Sequence, residues 1–193
     1  MDILHLSDTH GCHRRLTNLP VADVAVHSGD FTMAGSESEA LDFMEWFCDL
    51  PYAHKIFICG NHDDCLYGAE ISGLDDNVHY LCHSGIEIFG VKFYGVPMFM
   101  SDRQRNIYES IPDGIDVLIT HAPPYGVLDF DDNTHYGSEA LLRRIVSVAP
   151  RLHLFGHIHH QHGMTEIGAT RFSNGAIMNA DYTMFFSPNC ISF

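Results

Sequence analysis

Ile56-Phe57-Ile58-Cys59-Gly60-Asn61-His62-Asp63 is an apolar run stopped by a glycine and followed by an amide, an imidazole and a carboxylate. The run reads as a strand, and the turn after it delivers three side chains able to bind a cation or move a proton. Taken alone, the tetrad is equally well an asparagine turn with a surface histidine. The same pattern recurs on both sides of it. Upstream, Ile3 to Leu6 runs into Ser7-Asp8-Thr9-His10-Gly11, and Val24-Ala25-Val26 runs into His27-Ser28-Gly29-Asp30. Downstream, Gly114 to Thr120 ends at His121-Ala122-Pro123-Pro124, and Leu152-His153-Leu154-Phe155 ends at Gly156-His157-Ile158-His159. Strand after strand thus finishes on an oxygen or imidazole donor.

Helical patterns separate these strands. Ser36 to Leu50 predicts a helix capped by Ser36 or Ser38, with Glu37 and Glu39 in its first turn and Leu41, Met44, Trp46, Phe47 and Leu50 facing inward. Ser138 to Val148 predicts a second, turning Leu141, Leu142, Ile145 and Val148 inward and Arg143 and Arg144 to solvent. Val78 to Leu81, Ile86 to Phe89 and Val91 to Val96 read as successive short strands, the last two joined by a hairpin at Gly90. His79 and His83 in this meander are expected to be structural or exposed, His153 to lie in the core, and His160 and His162 to be exposed. Met164 to Ile167, Thr170 to Ser173 and Met184 to Phe186 predict further antiparallel strands.

Composition bounds the function. A chain of 193 residues with 46% apolar content suits one domain, spanning 1–193. The net charge of −15, with ten Lys and Arg in total, opposes stable nucleic-acid binding. Fifteen histidines are more than a core needs, and neutral imidazole is a common ligand for divalent metals. The six cysteines have no paired spacing and read as reduced thiols, hence a cytoplasmic protein. No signal peptide is visible at the N-terminus, and no segment reaches the ~18 apolar residues of a membrane span.

Asp8, His10, Asp30, Asn61, His121, His157 and His159 are therefore candidate metal ligands. If their strands are neighbours, the carboxyl ends converge on one crevice, where open α/β sheets bind ligands. Seven donors exceed the needs of one ion and suit two ions sharing a carboxylate, an arrangement that activates water and clamps the oxygens of a phosphoryl displacement.

Asp8-x-His10, Gly29-Asp30, Gly60-Asn61-His62-Asp63, His121 and Gly156-His157-x-His159, in this order, resemble the five motif blocks of the calcineurin-like metallophosphoesterases. The flanking residues are similar to the small class III phosphodiesterase branch of that superfamily. The resemblance implies an α/β fold, a four-layer α-β-β-α sandwich of two mixed sheets flanked by helices. It assigns Asp8, His10 and His159 to one ion, Asn61, His121 and His157 to the other, and Asp30 to both. It further implies attack by a metal-bridging hydroxide on a small phosphodiester, with cyclic nucleotides the leading class. His62 would donate to the leaving oxygen, Asp63 would orient His62, and Asn61, His62 and His135 would meet substrate. Mn²⁺ is favoured, and iron, zinc or nickel fit the same donors. Departures narrow the class. Thr32-Met33-Ala34-Gly35 lacks the phosphate-gripping arginine of the protein Ser/Thr phosphatases, and Met33 stands where purple acid phosphatases carry a ligand tyrosine. A phosphomonoesterase and a non-catalytic scaffold of the same fold are the rival readings.

Overall fold

The computed structural model describes residues 1–100 and 107–193. In chain order the elements are β1 (Asp2–Leu6), β2 (Val24–His27), α1 (Glu37–Cys48), β3 (His54–Phe57), β4 (Val78–Tyr80), β5 (Ser84–Ile88), β6 (Val91–Val96), β7 (Val117–Thr120), β8 (Phe130–Asp131), β9 (Thr134–His135), α2 (Glu139–Val148), β10 (Leu152–Phe155), β11 (Gly163–Ile167), β12 (Thr170–Asn174) and β13 (Asn189–Ser192). They form one five-stranded sheet of order β13-β1-β2-β3-β4, one six-stranded sheet of order β11-β12-β10-β7-β6-β5, and the small β8-β9 hairpin. Each large sheet has a parallel centre and antiparallel edges, β13 in the first, β11 and β5 in the second.

Side-chain alternation builds the layers. On β1, β2 and β3, Ile3, Val24, Val26 and Ile56 point between the sheets and meet Phe93, Val117, Ile119, Leu152 and Leu154 of the second sheet. The alternate residues Leu4, Leu6, Ala25 and Phe57 pack under α1, and Leu118 and Phe155 pack under Leu141 and Ile145 of α2. The result is the expected four-layer α-β-β-α sandwich.

Both helices start where their caps predict. The Ser36 hydroxyl accepts from Glu39 N–H while the Glu39 carboxylate accepts from Ser36 N–H, closing a capping box. Ser138 caps α2 by accepting from Leu141 N–H. The buried face of α1 differs from the expected stripe. Ala40, Phe43, Trp46 and Phe47 face the sheet, and Leu41 is 63% exposed. Phe43 wins the inward position because its ring stacks on Phe31 at 4.1 Å and packs beside Phe47 and Phe57. Arg144 also departs from expectation, since its guanidinium donates to the Ile111 carbonyl and to Asp113.

The supposed meander divides between the sheets. β4 pairs with β3 in the first sheet, whereas β5 and β6 form a hairpin in the second. Near the C-terminus, Met184 to Phe186 contributes one isolated bridge, Met178 to Met184, and the strand lies further on at Asn189–Ser192, against β1. His162 is half-buried, stacked on Phe186 at 4.5 Å, and His153 is fully buried as expected.

Candidate metal centre

The parallel registers bring the carboxyl ends of β1, β2 and β3 level, Leu6 beside His27 beside Phe57. The second sheet meets them at the same edge through Ser7 N–H to the Gly175 carbonyl (2.8 Å) and Met98 N–H to the Cys59 carbonyl (3.1 Å). Turns from both sheets therefore share one crevice. The backbone there is held in unusual conformations. Asp8 (φ 54°), His10 (41°), Asp30 (55°) and His157 (72°) all lie in the left-handed region, which non-glycine residues occupy at a cost of order 1–3 kcal/mol when the surroundings impose it. Gly60 and Gly156 are required for close approach, because a Cβ on Gly60 would strike the Asp30 carboxylate and one on Gly156 the Asp8 carboxylate.

Three groups of donors result. Asp8, His10 and His159 form the first, Asp30, His121 and His157 the second, and His10, Asp30 and His62 the third. Asp30 Oδ2 lies 3.2 Å from His121 Nε2 and 4.0 Å from His10 Nε2, and so faces both of the first two groups. Asp8 Oδ1 lies 3.4 Å from His159 Nε2 and 4.0 Å from His121 Nε2. Donors bound ~2.1 Å from one ion sit about 3.0–3.4 Å apart, so the tighter of these spacings suit a shared cation. Two buried atoms, Asn61 Oδ1 on the turn after β3 and His121 Nε2 beside Asp30, have no hydrogen-bond partner. Buried polar atoms are normally satisfied, and a cation would satisfy both.

The imidazoles are set for ligation by main-chain carbonyls. His10 Nδ1 donates to Thr32 O (3.1 Å), His62 Nδ1 to Met33 O (2.8 Å), His121 Nδ1 to Ser28 O (2.9 Å) and His159 Nδ1 to Asn179 O (3.0 Å). A carbonyl only accepts, so each ring carries a proton on Nδ1 and leaves Nε2 as the nitrogen available to a cation or, when it too is protonated, to proton transfer. No residue type announces these four carbonyls, which is why sequence reasoning does not find them.

Electrostatics favour a cation. Burial opposes ionisation of Asp8, yet the neighbouring His159, His121 and His10 hold it well below the usual carboxylate range. Burial also opposes charge on His121, but Asp30 and then Asp8 lift it to about 10. His157 is pushed down to about 4, mainly by burial and by His121, and stays neutral.

Asp63 requires a correction. Its carboxylate does not meet the His62 ring. It accepts from Asp30 N–H (2.8 Å), Thr32 N–H (2.9 Å), Gly60 N–H (2.9 Å) and the Thr32 hydroxyl (2.8 Å), and so ties the β2 turn to the β3 turn. His62 is oriented by Met33 O and by the edge of His10, 4.7 Å between ring centroids. His135 lies outside the three donor groups, on β9, with Nδ1 2.7 Å from Asp129 Oδ1 and its ring against Tyr125 and Phe130. Asp129, buried and also accepting from Gly126 and Gly137 N–H, shapes this loop and carries no sequence signal.

Comparison with known proteins agrees with the geometry. The family profile described as Calcineurin-like phosphoesterase matches residues 1–161. UPF0046 protein C25E10.12 of Caenorhabditis elegans is 35% identical over 95% of this chain and 77% of its own length. Metallophosphoesterase domain-containing protein 1 of Homo sapiens is 34% identical over 92% of this chain, which spans 66% of the human protein. The crystal structure of TT1561 from Thermus thermophilus superposes with a TM-score of 0.66 at 16% identity, covering 90% of this chain and 88% of that one, a likeness of fold. The chain belongs to the calcineurin-like phosphoesterase family, and its donor groups are those of a metal-dependent phosphoesterase.

Proposed function

We propose that the chain hydrolyses small phosphodiesters, cyclic nucleotides foremost, at a two-cation centre. Asp8, His10 and His159 would hold one ion, Asn61, His121 and His157 the other, with Asp30 between them. The observation that carries this reading is Asp30 Oδ2, which faces His121 at 3.2 Å and His10 at 4.0 Å. Two divalent cations held there, Mn²⁺ in the favoured case, would supply Lewis acidity toward water and the phosphoryl oxygens.

The chain's own residues do the rest. Asp30 Oδ1 accepts from His62 N–H at 2.7 Å, which fixes the His62 backbone beside the shared carboxylate. With Nδ1 held by Met33 O, the His62 ring offers its other nitrogen to the crevice and can hand a proton to a leaving oxygen. No described helix is long and apolar enough to cross a membrane. The scattered cysteine spacing, without a paired motif, supports a cytoplasmic setting.

The test is hydrolysis of bis-p-nitrophenyl phosphate beside p-nitrophenyl phosphate with added Mn²⁺, followed by 2′,3′- and 3′,5′-cyclic nucleotides. Turnover of the diester, abolished by EDTA, is expected. Failure with every divalent metal would refute the enzyme reading, and faster turnover of the monoester would move it to a phosphomonoesterase. His62→Ala should lower kcat by about 10²–10⁴ while leaving Mn²⁺ content unchanged. Equal loss of both makes His62 a structural residue.

A further inference from the structure

Beside the donor groups lies a cleft of about 310 Å³ whose floor includes His157 and His159. Its two walls take no part in the chemistry above. One wall is Tyr182, at the tip of a turn organised by Asn179. The Asn179 side-chain oxygen accepts from Asp181 and Thr183 N–H, both at 3.0 Å, while its carbonyl accepts from His159 Nδ1. The turn is thus coupled to the centre and holds Tyr182 at φ 54°. The Tyr182 ring meets the edges of His10 and His159 at 4.9 and 5.1 Å between centroids and remains 47% exposed. A strained backbone that holds a large ring half in water gains little from burial, and such strain concentrates where ligands bind.

The other wall is the tip of the β8-β9 hairpin, Asp131 and Asp132. The hairpin is fixed against the centre by Gln161 Nε2 donating to Phe130 O at 2.9 Å, and Asp131 Oδ2 lies 3.6 Å from His160 Nδ1. Among the described residues no Lys or Arg lines the cleft. A flat ring entering it meets the half-exposed Tyr182 ring and the two carboxylates among the lining residues. A second phosphate would meet the carboxylates with no lysine or arginine to receive it.

We propose that Tyr182 and the Asp131–Asp132 tip form the subsite for the organic part of the substrate. Tyr182 stacks a planar group, and the two carboxylates reject substrates bearing a further anionic group. The assignment rests on the metallophosphoesterase reading, which anchors the phosphoryl group at the neighbouring donors. It narrows the substrate class to esters of a single phosphate with a flat, uncharged or cationic organic part.

The probes are methylphosphonate, phenylphosphonate and 4-carboxyphenylphosphonate, titrated calorimetrically into the Mn²⁺-loaded protein. Wild type and Tyr182→Phe should bind phenylphosphonate about fivefold more tightly than methylphosphonate, and Tyr182→Leu, which keeps bulk but loses the ring, should reduce the ratio below about twofold. A merely structural role would weaken both ligands together, so an unchanged ratio in Tyr182→Leu overturns the stacking assignment. The double variant Asp131→Asn, Asp132→Asn should improve 4-carboxyphenylphosphonate about fivefold relative to phenylphosphonate. An unchanged preference overturns the acidic wall. Failure of wild type to bind even methylphosphonate once loaded with Mn²⁺ would sink the anchoring reading and this subsite with it.

Discussion

Replacing Asp63 by alanine should destabilise the protein by about 3–4 kcal/mol before any effect on chemistry is considered. The carboxylate is fully buried and receives three main-chain N–H groups within 2.9 Å and the Thr32 hydroxyl at 2.8 Å. Orphaning a buried donor costs roughly 1–3 kcal/mol each, so simple addition would exceed 4 kcal/mol. Two effects offset that sum. Burial and the nearby Asp30 charge push the Asp63 carboxyl up to about 7, so part of the hydrogen-bond gain is already spent on desolvating it. The Thr32 hydroxyl also keeps an alternative acceptor in His62 O at 2.7 Å. Asp63→Asn keeps the volume and one acceptor oxygen, and should lose about half as much. At roughly 2–4 °C per kcal/mol for a chain of this size, Asp63→Ala should melt about 10 °C lower. Urea unfolding in EDTA isolates the effect from metal binding. If both variants stay within about 1 kcal/mol of wild type while kcat falls, Asp63 serves the His62 ring after all, and the hydrogen-bond argument is wrong.

Further outcomes follow from other parts of the molecule. His5, His27 and His153 are fully buried, and burial lowers each from 6.5 to about 3. The unfolded chain therefore binds more protons than the folded one across that window. Their stabilising contribution is complete above about pH 6.5 and declines as pH falls toward 3, by up to about 1.4 kcal/mol per pH unit for each histidine. Thr120 donates to Ala122 O at 2.6 Å, so its oxygen accepts from His153 Nε2, a role the amide of His153→Gln can take over. That variant should flatten the urea-stability slope between pH 6 and 4.5 by about 1 kcal/mol per unit, and an unaltered slope would remove His153 from the acid response. Ser36→Ala breaks the capping box and should cost about 1 kcal/mol, seen as a fall in Tm of roughly 2–4 °C, whereas no change would mean that Glu39 alone holds the turn. Gly60→Ala drives a methyl into the Asp30 carboxylate and should reduce bound Mn²⁺ in elemental analysis. Full metal content in a folded Gly60→Ala protein would contradict the close approach of the two turns.

Local chemistry made much of this protein legible. Short apolar runs, each ended by a donor, located β1, β2, β3, β7 and β10, and Ser36 and Ser138 marked the helix starts. What failed depended on partners distant in the chain. The inward residue of α1 is Phe43 and not Leu41, because Phe31, on the loop after β2, offers it a stacking face. β4 joins the first sheet, away from the hairpin that follows it, because strand pairing is settled by the cross-strand contacts a strand can make and not by proximity in sequence.

The same division runs through the site. Asp8, His10, Asp30, His121, His157 and His159, which the fold gathers into donor groups, could be singled out as candidates by residue type and by their place after a strand, since that chemistry is carried within a few residues. The ring settings of His10, His62, His121 and His159 could not, because the carbonyls of Thr32, Met33, Ser28 and Asn179 that hold their Nδ1 atoms belong to loops identified only by where they fold. Asp63 shows the boundary most clearly. Sequence proximity points it at His62, yet burial obliges its carboxylate to find several donors, and the turns of β2 and β3 meet around it to supply them.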